Sequence, residues 1–330
     1  MFLDNTRKDS LSGKLRRAIE MRYRFLMIFL FMAGMFIFFS TGVLSQDIKP
    51  GIINWNEGYI SAVGVGTATP SGNRTKDQMA AMRVAEVMAQ RSLLEATKEV
   101  RIDSNTKVVN MILKEDVISS RIEGTIRGAQ VVKRELRWEN DVPIATVEMK
   151  ICLSNNVGGC NTGKSLISAL DISHKNEPAV APPERFNIIT DAPGGIPKVD
   201  VGMVKPKGIM YDSSKPATGV ILDLEGRFFE KQLLPVVITT GEGNKQFTVY
   251  SVKTVNPKII RTYGVVRYAD SLEKAKKIDY IGNNPIIIPV SDITKDYVIV
   301  ISHDGARLIK ETTMHGNNYL EEAKVVITSN

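Results

Sequence analysis

Three kinds of hydrophobic pattern follow one another along the chain. The first is an unbroken apolar run, Phe25 to Phe39, 15 residues long and preceded by Arg22-Tyr-Arg24. The second is mixed. Tyr59-Ile-Ser-Ala-Val-Gly-Val-Gly66 reads as a strand whose glycines allow close backbone approach. Ala81, Val84, Ala85, Met88, Ala89, Ser92, Leu93 and Ala96 then recur at the spacing of one helix face, behind a capping pair Thr75 and Gln78. Met79, Met82 and Met88 read as gap-filling core. A short strand near Lys107–Met111 and a helix around Leu113–Ile122, broken by Gly124 to Gly128, come next. Two strands, Ala129 to Trp138 and Ile144 to Leu153, close this region. In the second of them Ile144, Thr146, Glu148 and Lys150 alternate with Ala145, Val147, Met149 and Ile151.

The third pattern is a set of short apolar runs without alternation. Thr218 to Leu224, Leu234 to Thr240, Phe247 to Tyr250, Pro285 to Val290, Tyr297 to Ser302 and Ala323 to Thr328 read as strands, several of them central and buried. Glu242-Gly-Asn244 marks a turn, and Ser271–Lys277 a short helix after Val265 to Tyr268. Between the second and third patterns lie Leu166–Leu170, a short helical piece, and then Pro178, Pro182, Pro183, Pro193, Pro197 and Pro206, a density that suits neither a helix interior nor a central strand. The predicted fold class is α+β: a helix-covered antiparallel sheet domain followed by a second, β-rich α+β domain. The predicted divisions are 1–45, an export segment; 46–162, the first domain; 163–207, a Pro/Gly-rich connector; and 208–330, the second domain.

The apolar run changes how the charge is read. A positive region, a hydrophobic run shorter than the about 20 residues of a spanning helix, and Val43 and Ser45 before Gln46 have the order of a secretory signal. An uncleaved signal anchor is the competing reading, and the start is Met1 or Met21, since Met21 opens a compact signal peptide by itself. Residues 1–45 carry seven Lys/Arg and three acids, so of the formal net charge of +7 only +3 is left for the other 285 residues. That balance leaves no basic footprint for nucleic acid. Membrane contact is expected only through residues 21–45, if these are retained. The chain is expected in the periplasm or at the outer membrane, or else as a periplasmic head anchored in the inner membrane. No Cys lies near Ser45, which excludes a lipid anchor there. The two cysteines, Cys152 and Cys160, are expected to be bridged in an oxidising compartment and reduced in the cytoplasm.

Candidate chemistry is sparse. Gly158-Gly-Cys-Asn-Thr-Gly163-Lys164-Ser165 fits the phosphate-binding pattern G-x-x-x-x-G-K-[ST], in which backbone N–H groups cradle phosphates, the lysine reaches the terminal oxygens and the serine a magnesium ion. A nucleotide-binding protein using these residues is the alternative function. It is disfavoured because the connector follows at once and because the second domain shows too few helices to cover a parallel sheet. Ser302-His303-Asp304 names the residue types of a hydrolase, but neighbours on a strand point to opposite faces, and a strand end with a turn at Asp304-Gly305 is expected. His174, His303 and His315 lack metal-site spacing, and Asp191, Asp200, Asp212 and Asp223 make no calcium loop. No cofactor, no metal and no enzyme activity are expected. Trp55, Tyr59 and Trp138 are candidate partner contacts, with hydrophobic core as the competing role.

The stretch Trp55 to Cys152 resembles a family of bacterial envelope proteins, the LPP-twenty-type lipoproteins and the related amino-terminal domain of flagellar assembly protein T. The resemblance is carried by Trp55 and Gly58, Val63-Gly-Val-Gly66, Ala80-Ala-Met-Arg-Val-Ala-Glu, Arg91-Ser-Leu-Leu-Glu, Val100-Arg-Ile-Asp103-Ser and Gly124-Thr-Ile-Arg-Gly128-Ala. The carboxyl half is similar to the companion domain of longer members in Thr218-Gly-Val-Ile-Leu-Asp223, Gly264-Val-Val-Arg-Tyr-Ala269, Ala275, Gly282-Asn-Asn-Pro285, Tyr297-Val-Ile-Val-Ile-Ser302 and Leu320-Glu-Glu-Ala-Lys-Val-Val-Ile327. The resemblance implies a non-catalytic envelope protein serving outer-membrane or flagellar basal-body structures. Its partners would be envelope or flagellar proteins, or a second copy of itself. The lipid-bearing cysteine of the lipoproteins has no counterpart here.

Overall fold

A computed structural model describes residues 51–155, 160, 163–172, 208–240, 246–314 and 318–328. The export segment, the connector from residue 173 to 207, Gly158, the turn at 242–244, His174, Asp191, Asp200 and His315 lie outside the described residues. The described protein is α+β. A helix-packed antiparallel sheet comes first and a mixed sheet second.

The first sheet has the order β1-β2-β4-β3, from β1 (Ile52–Asn54), β2 (Tyr59–Thr67), β3 (Gln130–Glu139) and β4 (Val142–Cys152), all antiparallel. Helix α1 (Arg74–Glu99) lies across it, burying Ala81, Ala85, Ala89, Leu93 and Ala96. Small residues on the helix meet glycines on the strand. A Cβ on Gly64 would sit 2.1 Å from the Ala85 carbonyl oxygen, and one on Gly66 2.3 Å from that of Ala81. No side chain fits there, so helix and sheet approach at backbone distance. On β4 the same side buries Ala145, Val147, Met149 and Ile151.

Local details depart from the sequence reading. The cap of α1 is Asn73, whose Oδ1 accepts from the Lys76 N–H at 3.1 Å, so Thr75 and Gln78 fall inside the helix. Met79 is 68% exposed rather than core, because its position points away from the sheet, whereas Met82 packs at the core's margin. The expected strand at Lys107–Met111 is helix α2 (Val108–Lys114). There Asn110 accepts from the Lys107 N–H at 2.9 Å and overrides the β-branched pair Val108-Val109. Helix α3 (Asp116–Arg127) continues through Gly124 and ends only at Gly128, with Ile118, Ile122 and Ile126 on its buried stripe. The β3–β4 turn is the two residues Asn140 and Asp141, at φ of 48° and 62°, as a tight hairpin requires. Helix α4 (Leu166–Leu170) follows the cysteines.

The second sheet has the order β7-β6-β10-β9-β5-β11-β8. Its strands are β5 (Val220–Asp223), β6 (Val237–Thr240), β7 (Gln246–Tyr250), β8 (Arg267–Ala269), β9 (Ile286–Ile293), β10 (Ile299–Ile301) and β11 (Val325–Thr328). Parallel pairs β5–β9, β5–β11, β11–β8 and β10–β6 outnumber the antiparallel pairs β9–β10 and β6–β7. The expectation that helices are too few for parallel pairing is therefore overturned. Two of them were hidden in the sequence. Helix α5 (Pro257–Tyr263) starts with the Asn256 cap and a proline at its first turn, and α7 (His303–Met314) starts where a turn was expected. Ser302 Oγ accepts from the Gly305 N–H at 3.1 Å, opening α7, and the bare Gly305 lets the helix settle on Ile288 of β9. Helix α6 (Leu272–Lys276) packs on the other side. Val220 and Leu222 belong to one apolar core while Ile221, Ile287 and Val326 belong to another with Ala269, Ala275 and Ile281. Burial on both faces explains why these strands are apolar without alternation.

Candidate functional site

The two sheets belong to one compact unit, Ile48–Asn330, and the larger core runs through both. Where they meet, polar groups and aromatic rings interlock. The segment after β5 crosses to the first sheet's side: the Leu233 and Leu234 N–H groups donate to the Arg101 and Ile102 carbonyls at 3.0 and 2.8 Å. Arg101 pairs with Glu230 at 2.7 Å, donates to the Ser104 carbonyl at 2.8 Å, and lies 5.3 Å from the Tyr297 ring. Tyr268 is the hub. Trp55 meets its ring edge-on at 5.6 Å, Phe229 approaches at 6.4 Å, and its hydroxyl donates to the Gln232 carbonyl at 2.8 Å while accepting the Gln232 N–H at 3.1 Å. Burial pushes the Tyr268 phenol far above its ordinary range. Gln232, 1% exposed, donates onward to the Tyr297 carbonyl at 2.9 Å.

At the rim of this junction Asn56 donates to Asp270, which Lys274 also holds at 2.8 Å. The Lys274 hydrogen bond, and then that from Asn56, draw the Asp270 carboxyl below its ordinary value. Asn155 donates to the Arg261 carbonyl at 3.2 Å. A cavity of about 30 Å³ lies between Trp55, Ser154, Ile167, Gln232, Gly264 and Tyr268. It has room for about one or two waters, an order of magnitude below the roughly 300 Å³ at which small-molecule sites begin. The buried Asn56 Oδ1, Arg101 Nε and Asn155 Oδ1 have no hydrogen-bond partner, so the junction carries polar atoms suited to bridging water.

The residues singled out in the sequence are dispersed. Cys152 and Cys160 are bonded, with Cα atoms 5.7 Å apart and both side chains buried. Ser165 is 1% exposed; its hydroxyl accepts from the Ser168 N–H at 3.3 Å, lies 2.9 Å from Ser168 Oγ, and caps the five-residue α4. A hydroxyl so enclosed has no open side for a metal ion. Gly163 has φ of 68°, and Lys164 is exposed on the same loop. Trp55 is half-buried in the junction. Tyr59 lies on the sheet face away from α1, with Lys150 Nζ 5.4 Å from its ring. Trp138 sits under Arg74 at 4.2 Å, near the other edge. His303 and Asp304 occupy the first turn of α7, where Asp304 pairs with Arg307 at 3.1 Å. Asp212 caps its own loop through Ser214, and Asp223 accepts from Thr328 at 3.0 Å. Among the described residues no three His, Cys, Asp or Glu side chains are placed to hold a metal, and no helix is long and apolar enough to cross a membrane.

The sequence reading missed the hub. Tyr268, the end of an apolar run, and Arg101 stood within stretches that carry the family resemblance but had no role assigned, and Glu230 and Gln232 carried no motif. A second aromatic group escaped as well: Tyr263 and Tyr280 stack at 4.9 Å, with the Arg267 guanidinium 4.7 Å from the Tyr280 ring.

Residues 219–330, the second sheet with its helices, match the model of a bacterial domain family described as Treponema pallidum Tp0624, second domain. The match spans about a third of the chain. No curated protein matches the chain.

Proposed function

We propose that this chain is an exported, non-catalytic protein of the bacterial cell envelope that works as an interaction module. The observation that carries the reading is the closed Cys152–Cys160 bond downstream of an export-type segment, since such bonds persist outside the reducing cytoplasm. The similarity of residues 219–330 to a bacterial domain supports the bacterial setting. The resemblance of Trp55 to Cys152 to the LPP-twenty-type proteins and to the amino-terminal domain of flagellar assembly protein T points to outer-membrane or basal-body assembly as the place of work. The hydroxyls of Ser165 and Ser302 both cap helices, which favours a structural use of the two motifs that resembled catalytic ones.

In this reading the protein is periplasmic or attached to the outer membrane, or held at the inner membrane by residues 21–45 if the signal is retained. Rapid acid quenching of cells followed by thiol alkylation tests it. The expected result is a protein that takes up the label only after reduction. Two freely labelled thiols in the native protein would contradict it.

A further inference from the structure

Strand β3 is one edge of the first sheet and is ten residues long, against three for β1 at the opposite edge. Among the described residues its backbone pairs with β4 and with no second strand. An open edge of that length offers a row of N–H and C=O groups to another strand. Lys133, Glu135, Arg137 and Glu139 alternate in sign along it. Their partners on β4 are Glu148, Thr146, Ile144 and Val142, which puts all four on the face away from α1. They are 58–69% exposed, and among the described residues their ion pairs run along the strand, Lys133 with Glu135 at 2.6 Å and Arg137 with Glu139 at 3.3 Å.

This pattern is complementary to itself. With a two-fold axis through Leu136 and the two strands antiparallel, Lys133 faces Glu139 of the copy and Glu135 faces Arg137, so all four cross-strand pairs are of opposite sign. On the helix side Arg134 faces Trp138, and Leu136 faces its own copy. A slip of two residues in either direction sets Lys133 against Arg137 and Glu135 against itself, or Glu135 against Glu139 and Arg137 against itself. Charges directly opposite one another stabilise or destabilise a strand pair according to sign, so one register is selected. We infer that a second copy of this chain adds to the β3 edge, giving a symmetric dimer with one continuous antiparallel sheet through both molecules. This deepens the interaction reading by naming a partner, and its failure would leave the compartment reading standing.

The test uses the protein as isolated from cells. One variant, Lys133→Glu with Arg137→Glu, makes the face wholly acidic; the other, Glu135→Lys with Glu139→Lys, makes it wholly basic. In sedimentation at about 100 µM, where a weak contact of this small size is populated, wild type should be dimeric. Each variant alone should dissociate at least about tenfold more readily, and their equimolar mixture should recover dimer as heterodimer. Leu136→Cys is an independent check, because Cys152 and Cys160 are bonded to each other and the new thiol is then the chain's free one. Across an antiparallel pair its Cα lies about 4.5–5.5 Å from its copy, within disulfide reach, and mild oxidation should give a covalent dimer. Monomeric wild type, variants that dimerise as well as wild type, a mixture no more dimeric than its components, or no crosslink at Leu136→Cys would each overturn the inference.

Discussion

The two sheets solve the problem of covering a β-surface in opposite ways. The first is covered on one face. Its helix α1 is long, single and pressed to backbone distance over Gly64 and Gly66, while Val63 and Val65, 40% and 45% exposed, face outward. The second is covered on both faces by short helices and loops at its centre, where residues 220–222, 286–288 and 325–327 are apolar on both sides: Ile286 and Ile288 on one, Ile287 on the other. The first sheet therefore keeps one face and, among the described residues, the long β3 edge open. The second spends its surface on stability and on gripping the first through Tyr268, Glu230 and the Leu233 and Leu234 N–H groups.

The contrast is broken most severely at the helix–strand contact. Gly64→Val should cost more than about 4 kcal/mol, because the new Cβ lands on the α1 backbone and the helix cannot stay down, whereas Val63→Ala beside it should cost under about 1 kcal/mol. Urea unfolding of the two variants measures the difference. In the second sheet, Ile288→Ala should cost about 2–5 kcal/mol, since that side chain is fully buried under α7. Replacing Cys152 and Cys160 together by serine should cost about 2–3 kcal/mol, the loop-closure entropy of so short a ring, read as a lowered unfolding midpoint that no longer responds to reductant.

Smaller effects sharpen the comparison at the junction. Arg101→Met should cost about 1–3 kcal/mol, as Glu230 loses a partner in a half-buried setting, and hydrogen exchange at Leu233 and Leu234 should quicken more than at Leu93. The smallest is a pH effect. The folded Asp270 carboxyl titrates below its ordinary value of 3.8, so its contribution is present above that value and is lost as the pH falls through the folded pKa. Asp270→Asn should lower stability slightly across the neutral region, where that contribution is present, and flatten the acid limb below about pH 4, where the wild type loses it.

Much of the first sheet was legible because its chemistry is one-sided. Alternation in β4 and the small-residue stripe of α1 each state a face, and the glycine pair in β2 states the contact between them. The second sheet was legible as strands but not as a topology. A strand buried on both faces reads the same whether its neighbour is parallel or antiparallel, and α5 and α7 were obscured by Pro257 and by Gly305. In both cases a residue that breaks helices in their interior is harmless at the first turn or necessary for close packing. The junction was the least legible part. Its hub is built from residues far apart in sequence, Trp55, Gln232 and Tyr268, and its hydrogen bonds go largely to backbone atoms, which leave no trace in residue type. The disulfide could be anticipated because two cysteines admit one pairing.

The amino terminus and cell fraction of the native protein test the proposed export most directly. An exported interaction protein should begin at Gln46 and be found outside the cytoplasmic fraction. A chain beginning at Met1 or Met21 and recovered in the soluble cytoplasm would contradict it.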